Sequence, residues 1–118
     1  MRAKDVLGRR GEELAADFLE DRGIRVIDRN WRCPSGEIDI VAFDGDVLVV
    51  VEVKTRRSTL YGHPFEAVTP AKLARLRTLA VRWQRERGLR PPEVRIDVVA
   101  VVADGTLNPV LEHLRGVV

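Results

Sequence analysis

Residues 37–54 constrain this chain more than any other stretch. They read Glu-Ile-Asp-Ile-Val-Ala-Phe, then Asp-Gly-Asp, then Val-Leu-Val-Val-Val-Glu-Val-Lys. Two apolar, β-branched runs split by Asp44-Gly45 are the pattern of a β-hairpin with a tight type I′ turn. A hairpin this apolar belongs in the middle of a sheet. It nevertheless carries Asp39, Glu52 and Lys54, and a charge is costly to bury without a partner.

The flanking segments supply cover for such a sheet. Leu14, Ala15, Ala16, Phe18 and Leu19 predict a helix over Gly8–Arg22, closed by Gly23. Ile24–Ile27 reads as a short strand and Asn30–Gly36 as a loop. The hairpin strands are Glu37–Phe43 and Val47–Lys54. Thr55–Phe65 reads as an irregular basic loop. Thr69 followed by Pro70 is a strong helix start, and the second helix runs to about Arg87, before Gly88. Val94–Val102 is a strongly apolar strand, and Thr106–Leu111 an edge strand, the place where Pro109 is tolerable. The expectation is one α/β domain over 1–118: a central mixed sheet of about five strands flanked by helices, in the order α-β-β-β-α-β-β.

Composition narrows the possibilities. With 118 residues, 45% of them hydrophobic, the chain suits one domain with a real core. No apolar run approaches the ~18 residues of a membrane span, and the basic, polar first ten residues are no secretory signal. The reading is a soluble, cytoplasmic protein. Cys33 is the single cysteine, which excludes an intrachain disulfide and a thiolate zinc cluster. Net charge is only +2, but Lys54–Arg90 holds ten bases and two acids, so that stretch nets +8 and the remainder −6. Such segregation suits a polyanion on one side of the molecule. Aromatic content of 5% argues against a stacking platform for single-stranded nucleic acid.

Strand periodicity then locates a candidate site. Glu37, Asp39, Val41 and Phe43 share one side of their strand; Leu48, Val50, Glu52 and Lys54 share one side of the next. A two-residue loop at Asp44-Gly45 pairs Asp39 with Val50 and Glu37 with Glu52, which makes Asp39 and Glu52 diagonal neighbours roughly 7 Å apart. A one-residue change in loop length would put them on opposite faces. Three carboxylates on one sheet face call for a cation, and hard oxygen ligands favour Mg²⁺ or Mn²⁺. The competing reading leaves Glu52 and Lys54 as exposed hairpin charges, with Val49, Val51 and Val53 as the buried face. On the first helix Glu12 falls on the stripe of Ala16 and Leu19 and can look toward the sheet, whereas Glu13 cannot. Lys72 stands in the first turn of the second helix, where free N–H groups attract phosphate.

These residues form a familiar set. Asp39 followed by Glu52-Val53-Lys54 resembles the D…(D/E)-x-K signature of the PD-(D/E)xK nuclease superfamily. The helical Glu12 and the intervening hairpin resemble archaeal Holliday-junction resolvases. From Gly8-Arg9-Arg10-Gly11-Glu12 through Gly36-Glu37-Ile38-Asp39, Val51-Glu52-Val53-Lys54-Thr55-Arg56, Lys72 and Arg95-Ile96-Asp97-Val98, the chain is similar to the YraN-type family of uncharacterised bacterial proteins. The resemblance implies a restriction-endonuclease-like core. It implies that Asp39, Glu52 and the Val53 carbonyl ligate Mg²⁺, that Glu12 completes the shell directly or through water, and that Lys54 orients the attacking water. Glu37 departs from the resolvase pattern; a second metal or the arginines of the Thr55 loop are its candidate partners. Asp97 is a candidate outer-shell carboxylate or an arginine's partner.

The functional expectation is a Mg²⁺- or Mn²⁺-dependent endodeoxyribonuclease acting on branched or structured DNA. Arg56, Arg57, Lys72, Arg75 and Arg82 would grip the backbone, Tyr61 would wedge at a junction or pack, and a homodimer would cut two strands. The alternatives are a nucleic-acid-binding module with little or no turnover, and a protein-interaction domain offering Val98–Val102 or Val110–Val118.

Overall fold

The structure is a computed structural model that describes residues 3–60, 62–104 and 108–117. Tyr61 and the Thr106 start of the expected last strand lie outside them. The elements are α1 (Ala3–Asp21), β1 (Arg25–Cys33), β2 (Gly36–Asp44), β3 (Val47–Arg56), a 3₁₀ turn (Pro64–Ala67), α2 (Pro70–Arg87), β4 (Glu93–Val102) and β5 (Val110–Leu114). The five strands lie side by side in chain order. Only β3 and β4 run parallel, because the connection between them crosses over through α2. The fold is thus an α/β sandwich around a mixed sheet, in the element order expected.

Two apolar layers sandwich the sheet. On one side Ala15, Ala16 and Leu19 of α1 meet Ile40, Val49, Val51, Val99 and Val101. On the other, Leu73, Leu76, Leu79, Ala80 and Trp83 of α2 meet Val41, Leu48, Val50 and Ile96. Covered on both faces, β3 and β4 read as nearly continuous valine runs rather than as alternating strands. Trp83 keeps its polar atom satisfied by donating from Nε1 to Asp28 Oδ2 at 2.8 Å. Helix α2 begins where expected, with Thr69 Oγ1 accepting the Lys72 N–H at 3.2 Å.

The hairpin corrects the expected register without changing its parity. The ladder pairs Asp44 with Val47, Phe43 with Leu48 and Val41 with Val50. Gly45 and Asp46 therefore form the loop, not Asp44 and Gly45. Gly45 takes φ 62° at the first loop position, the arrangement of a II′ rather than a I′ turn. Each residue of β2 has slid by two, so side chains keep their faces. Asp39 thereby lies at the position directly opposite Glu52 rather than diagonal to it.

Strand β1 is the other correction. Four residues were expected and nine are present, running to Cys33. As an edge strand it pairs only with β2, and its register shifts between Val26 and Asp28. Its exposed, arginine-rich sequence has no clean alternation to read, and the neighbour supplies the pairing. At the far edge, β5 starts at Val110. The loop after β3 is anchored by His63, whose Nδ1 accepts the Phe65 N–H at 3.1 Å while Nε2 meets Glu112 of β5 at 2.9 Å. Among the described residues no helix is long and apolar enough to cross a membrane.

Candidate functional site

A pocket of about 290 Å³ opens between β2, β3 and the start of α2. Leu76 and Leu79 wall it, and Glu37, Asp39, Glu52, Lys54, Lys72 and Arg75 line it. Larger hollows beside Val81 and Gln84 contain no carboxylate at all, so chemistry rather than volume marks the smaller one.

Asp39 is its most constrained member. It is only 8% exposed, and its Oδ2 accepts the Val53 N–H at 2.8 Å. Backbone pairing of β2 with β3 runs only as far as Ile40–Val51. The carboxylate thus takes a donor from β3 and places the Val53 backbone at the site. Burial and then the charge of Glu52 push Asp39 up to about 7, against the Val53 bond that lowers it; Glu12 and Glu37 add to the rise. A carboxylate so crowded by its own kind is short of positive charge.

Lys54 shares the face of Glu52, two residues along β3, and its Nζ lies 3.1 Å from Glu52 Oε1, both side chains mostly buried. Burial pulls the Lys54 ammonium down, but Lys72, which accepts from it once its own amine is neutral, and the carboxylates of Glu52 and Asp39 outweigh this and hold it above its ordinary value. Lys72 is correspondingly lowered, first by its bond to Lys54 and then by burial. The two amines and Glu52 thus form one connected group.

Glu12 belongs to the other layer and does not line the pocket, but it stands near enough for its charge to raise Asp39. Gly11 is buried against Thr55 at the end of β3, and a Cβ on it would collide with the Thr55 hydroxyl. That close approach sets the height of Glu12. Glu12 is half-buried, as its helical stripe implied, while Glu13 is exposed. Burial raises the Glu12 carboxyl, the Asn30 amide bonded to it lowers it, and Glu37, Arg29 and Arg32 act on it as neighbouring charges.

The remaining residues divide. Glu37 sits on the pocket rim, paired with Arg32 of β1 at 3.1 Å rather than with the loop after Thr55. Arg75 lines the pocket. Arg56, whose charge reaches Lys72, is exposed, as is Arg57. Arg82 is exposed further along α2 and lines no part of the pocket. Asp97 is not part of the site. The parallel register aligns it with Val51, so it points to the α1 layer while Glu52 points to the α2 layer. There it accepts from Arg95 Nε at 2.9 Å, His113 Nε2 at 2.7 Å and Gly116 N at 3.0 Å, clasping the C-terminal segment to β4. The bonds from His113, Arg95 and Gly116 outweigh its burial and hold Asp97 below its ordinary value. Asn30 and Arg32 were missed because Asn30–Gly36 read as a loop, and Arg29 because it fell between that loop and a strand read as ending at Ile27.

The donors suit a hard divalent cation. Among the described residues no three His, Cys, Asp or Glu side chains gather closely enough to hold a metal ion between them, so Glu12 and Glu37 stand apart from the Asp39 and Glu52 pair. Mg²⁺ does not require three: it keeps several waters and takes one or two carboxylates, with substrate phosphate supplying the rest. Asp39 and Glu52 side by side, with a raised Asp39 that a cation would relieve, meet that need.

The fold is an α/β sandwich around a five-stranded mixed sheet, with Asp39 and the Glu52-Val53-Lys54 run on adjacent strands at its centre. A family model described as uncharacterised protein family UPF0102 matches residues 11–101. A UPF0102 protein of Paenarthrobacter aurescens (strain TC1) is 68% identical over 117 residues, 99% of this chain and 97% of that one. Another, from Leifsonia xyli subsp. xyli, is 52% identical over 118 residues and the whole of both chains. The chain belongs to the UPF0102, or YraN-type, family.

Proposed function

We propose that this protein is a metal-dependent endonuclease that hydrolyses phosphodiester bonds in DNA and prefers branched or otherwise structured substrates. The observation that carries the reading is Asp39, Glu52 and Lys54 in one pocket, directly beneath the basic first turns of α2. Asp39, Glu52 and the Val53 carbonyl would hold Mg²⁺ or Mn²⁺, with Glu12 closing the shell directly or through water. The ion would supply stabilisation of the charge that develops on the phosphoryl and leaving oxygens. Lys54, fixed by Glu52, orients the attacking water and offsets charge on the scissile phosphate. Lys72 and Arg75 receive that phosphate at the pocket mouth, and Arg56, Arg57 and Arg82 grip the strand to either side. Contacts of this kind position the backbone and carry no sequence information, so selection is by DNA shape. A second copy of the chain would serve the opposite strand of a junction.

The test is cleavage of a four-way junction, a flap and duplex DNA in Mg²⁺ or Mn²⁺ by wild type and by Glu52→Ala purified in parallel. Wild-type cutting that falls about 10²-fold or more in the variant supports the proposal. Equal cutting by both exposes a contaminant and removes it. Binding without cutting by either makes the protein a DNA-binding module instead.

A further inference from the structure

Asn30 was not singled out by its residue type, yet its backbone is the exception in the sheet. Among the described residues it is the one non-glycine with positive φ, 53°, and it lies within β1. β-strands do not ask for that conformation, and asparagine is one of the few side chains that tolerate it. The position is informative. Arg29 pairs with Ile40 and Trp31 with Ile38, so Asn30 stands across from Asp39. An extended residue there would send its side chain to the same face as Asp39. Asn30, exposed at the surface, instead lies beside the carboxylate of Glu12, on the helix of the opposite layer, and its amide favours the charged form of that carboxylate. Arg29 and Arg32, on either side, act on the same carboxylate.

We propose that Asn30 is a positioning residue of the candidate metal site: its amide holds Glu12 toward Asp39, and the left-handed backbone at residue 30 exists to aim that amide. This rests on the reading of Asp39 and Glu52 as ligands of a divalent cation. Strained backbone persists where surrounding structure enforces it, and it concentrates at functional sites. Partners that orient a ligand carboxylate are part of how a metal site works, and losing one costs about 10–100-fold in metal affinity or activity. If the left-handed turn at Asn30 merely shapes the edge strand, its side chain is dispensable.

Substitution separates the two roles, because glycine adopts the left-handed conformation freely and lacks only the amide. Thermal melts without metal, calorimetric titration with Mn²⁺, and junction-cleavage kinetics would be measured for wild type, Asn30→Gly and Asn30→Ala. The expected result for Asn30→Gly is a melting temperature at or above wild type, Mn²⁺ affinity down about 10–100-fold, and a lower kcat with KM for DNA within about twofold. Asn30→Ala should lose melting temperature as well. Mn²⁺ affinity and kcat of Asn30→Gly within about twofold of wild type would overturn the proposal, as would a melting temperature as low as that of Asn30→Ala. The wild-type titration stands as a separate check: no Mn²⁺ binding there would sink the metal site itself, and this inference with it.

Discussion

At the scale of single residues, Asp39 holds most of the site's tension. Its carboxyl is raised from 3.8 to about 7, so the folded chain keeps a proton that the unfolded chain has lost. Its stabilising contribution is therefore full below about pH 4 and is lost as pH rises through about 7. In EDTA, Asp39→Asn should raise stability at pH 8 by about 1–3 kcal/mol, since the amide oxygen can still accept the Val53 N–H and no charge is buried. The same variant should lose divalent-cation binding, and denaturant melts with and without Mn²⁺ check both halves. Metal competes with that one proton, so wild-type Mn²⁺ affinity should climb about tenfold per pH unit below 7 and level off above it. If Lys54 acts on the attacking water as proposed, Lys54→Met should cost about 10²-fold in kcat while binding DNA nearly as well. The identities of Asp39, Glu52 and Lys54 were legible because residue type and a period of two suffice to place charges on one face. Asn30 was not, because its left-handed φ and its bond to Glu12 depend on β2 and α1 being in place.

At the scale of elements, the sheet shows which inferences survive a local error. The turn was expected two positions' worth of pairing away from where it lies, yet an even slip leaves every side chain on its face. The pocket depended on that parity alone. Asp97 shows the reverse: its strand was found within a residue, but its face is set by the parallel register with β3, which nothing local specifies. β1 was cut short because an edge strand with a register shift borrows its order from its neighbour. Contact between α1 and β3 is equally tertiary, and it hinges on Gly11. Gly11→Ala should force α1 away from Thr55, costing about 1–3 kcal/mol and displacing Glu12. Chemical denaturation measures the first effect and Mn²⁺ titration the second. A variant as stable and as tight-binding as wild type would show that this approach does not set the site.

At the scale of the whole molecule, a charge imbalance visible in the sequence acquires a direction. Lys54, Lys72 and Arg75 surround the pocket, while Arg56, Arg57 and Arg82 lie exposed on the neighbouring loop and helix. DNA affinity should fall steeply with salt, by about 0.9 in log–log slope for each phosphate neutralised. Replacing Arg75 and Arg57 with alanine should reduce that slope by about 2, across substrates of any sequence, in fluorescence-anisotropy titrations. An unchanged slope would place the DNA elsewhere. What the charge pattern serves depends finally on whether the pocket takes a cation. Crystals grown with Mn²⁺ and measured at a wavelength that excites its anomalous signal answer this directly. A cation held there as proposed would give an anomalous peak beside the carboxylates of Asp39 and Glu52, at the short distances of hard-cation coordination. Well-ordered side chains with no peak beside them, and Lys54 still filling that space against Glu52, would contradict the proposal.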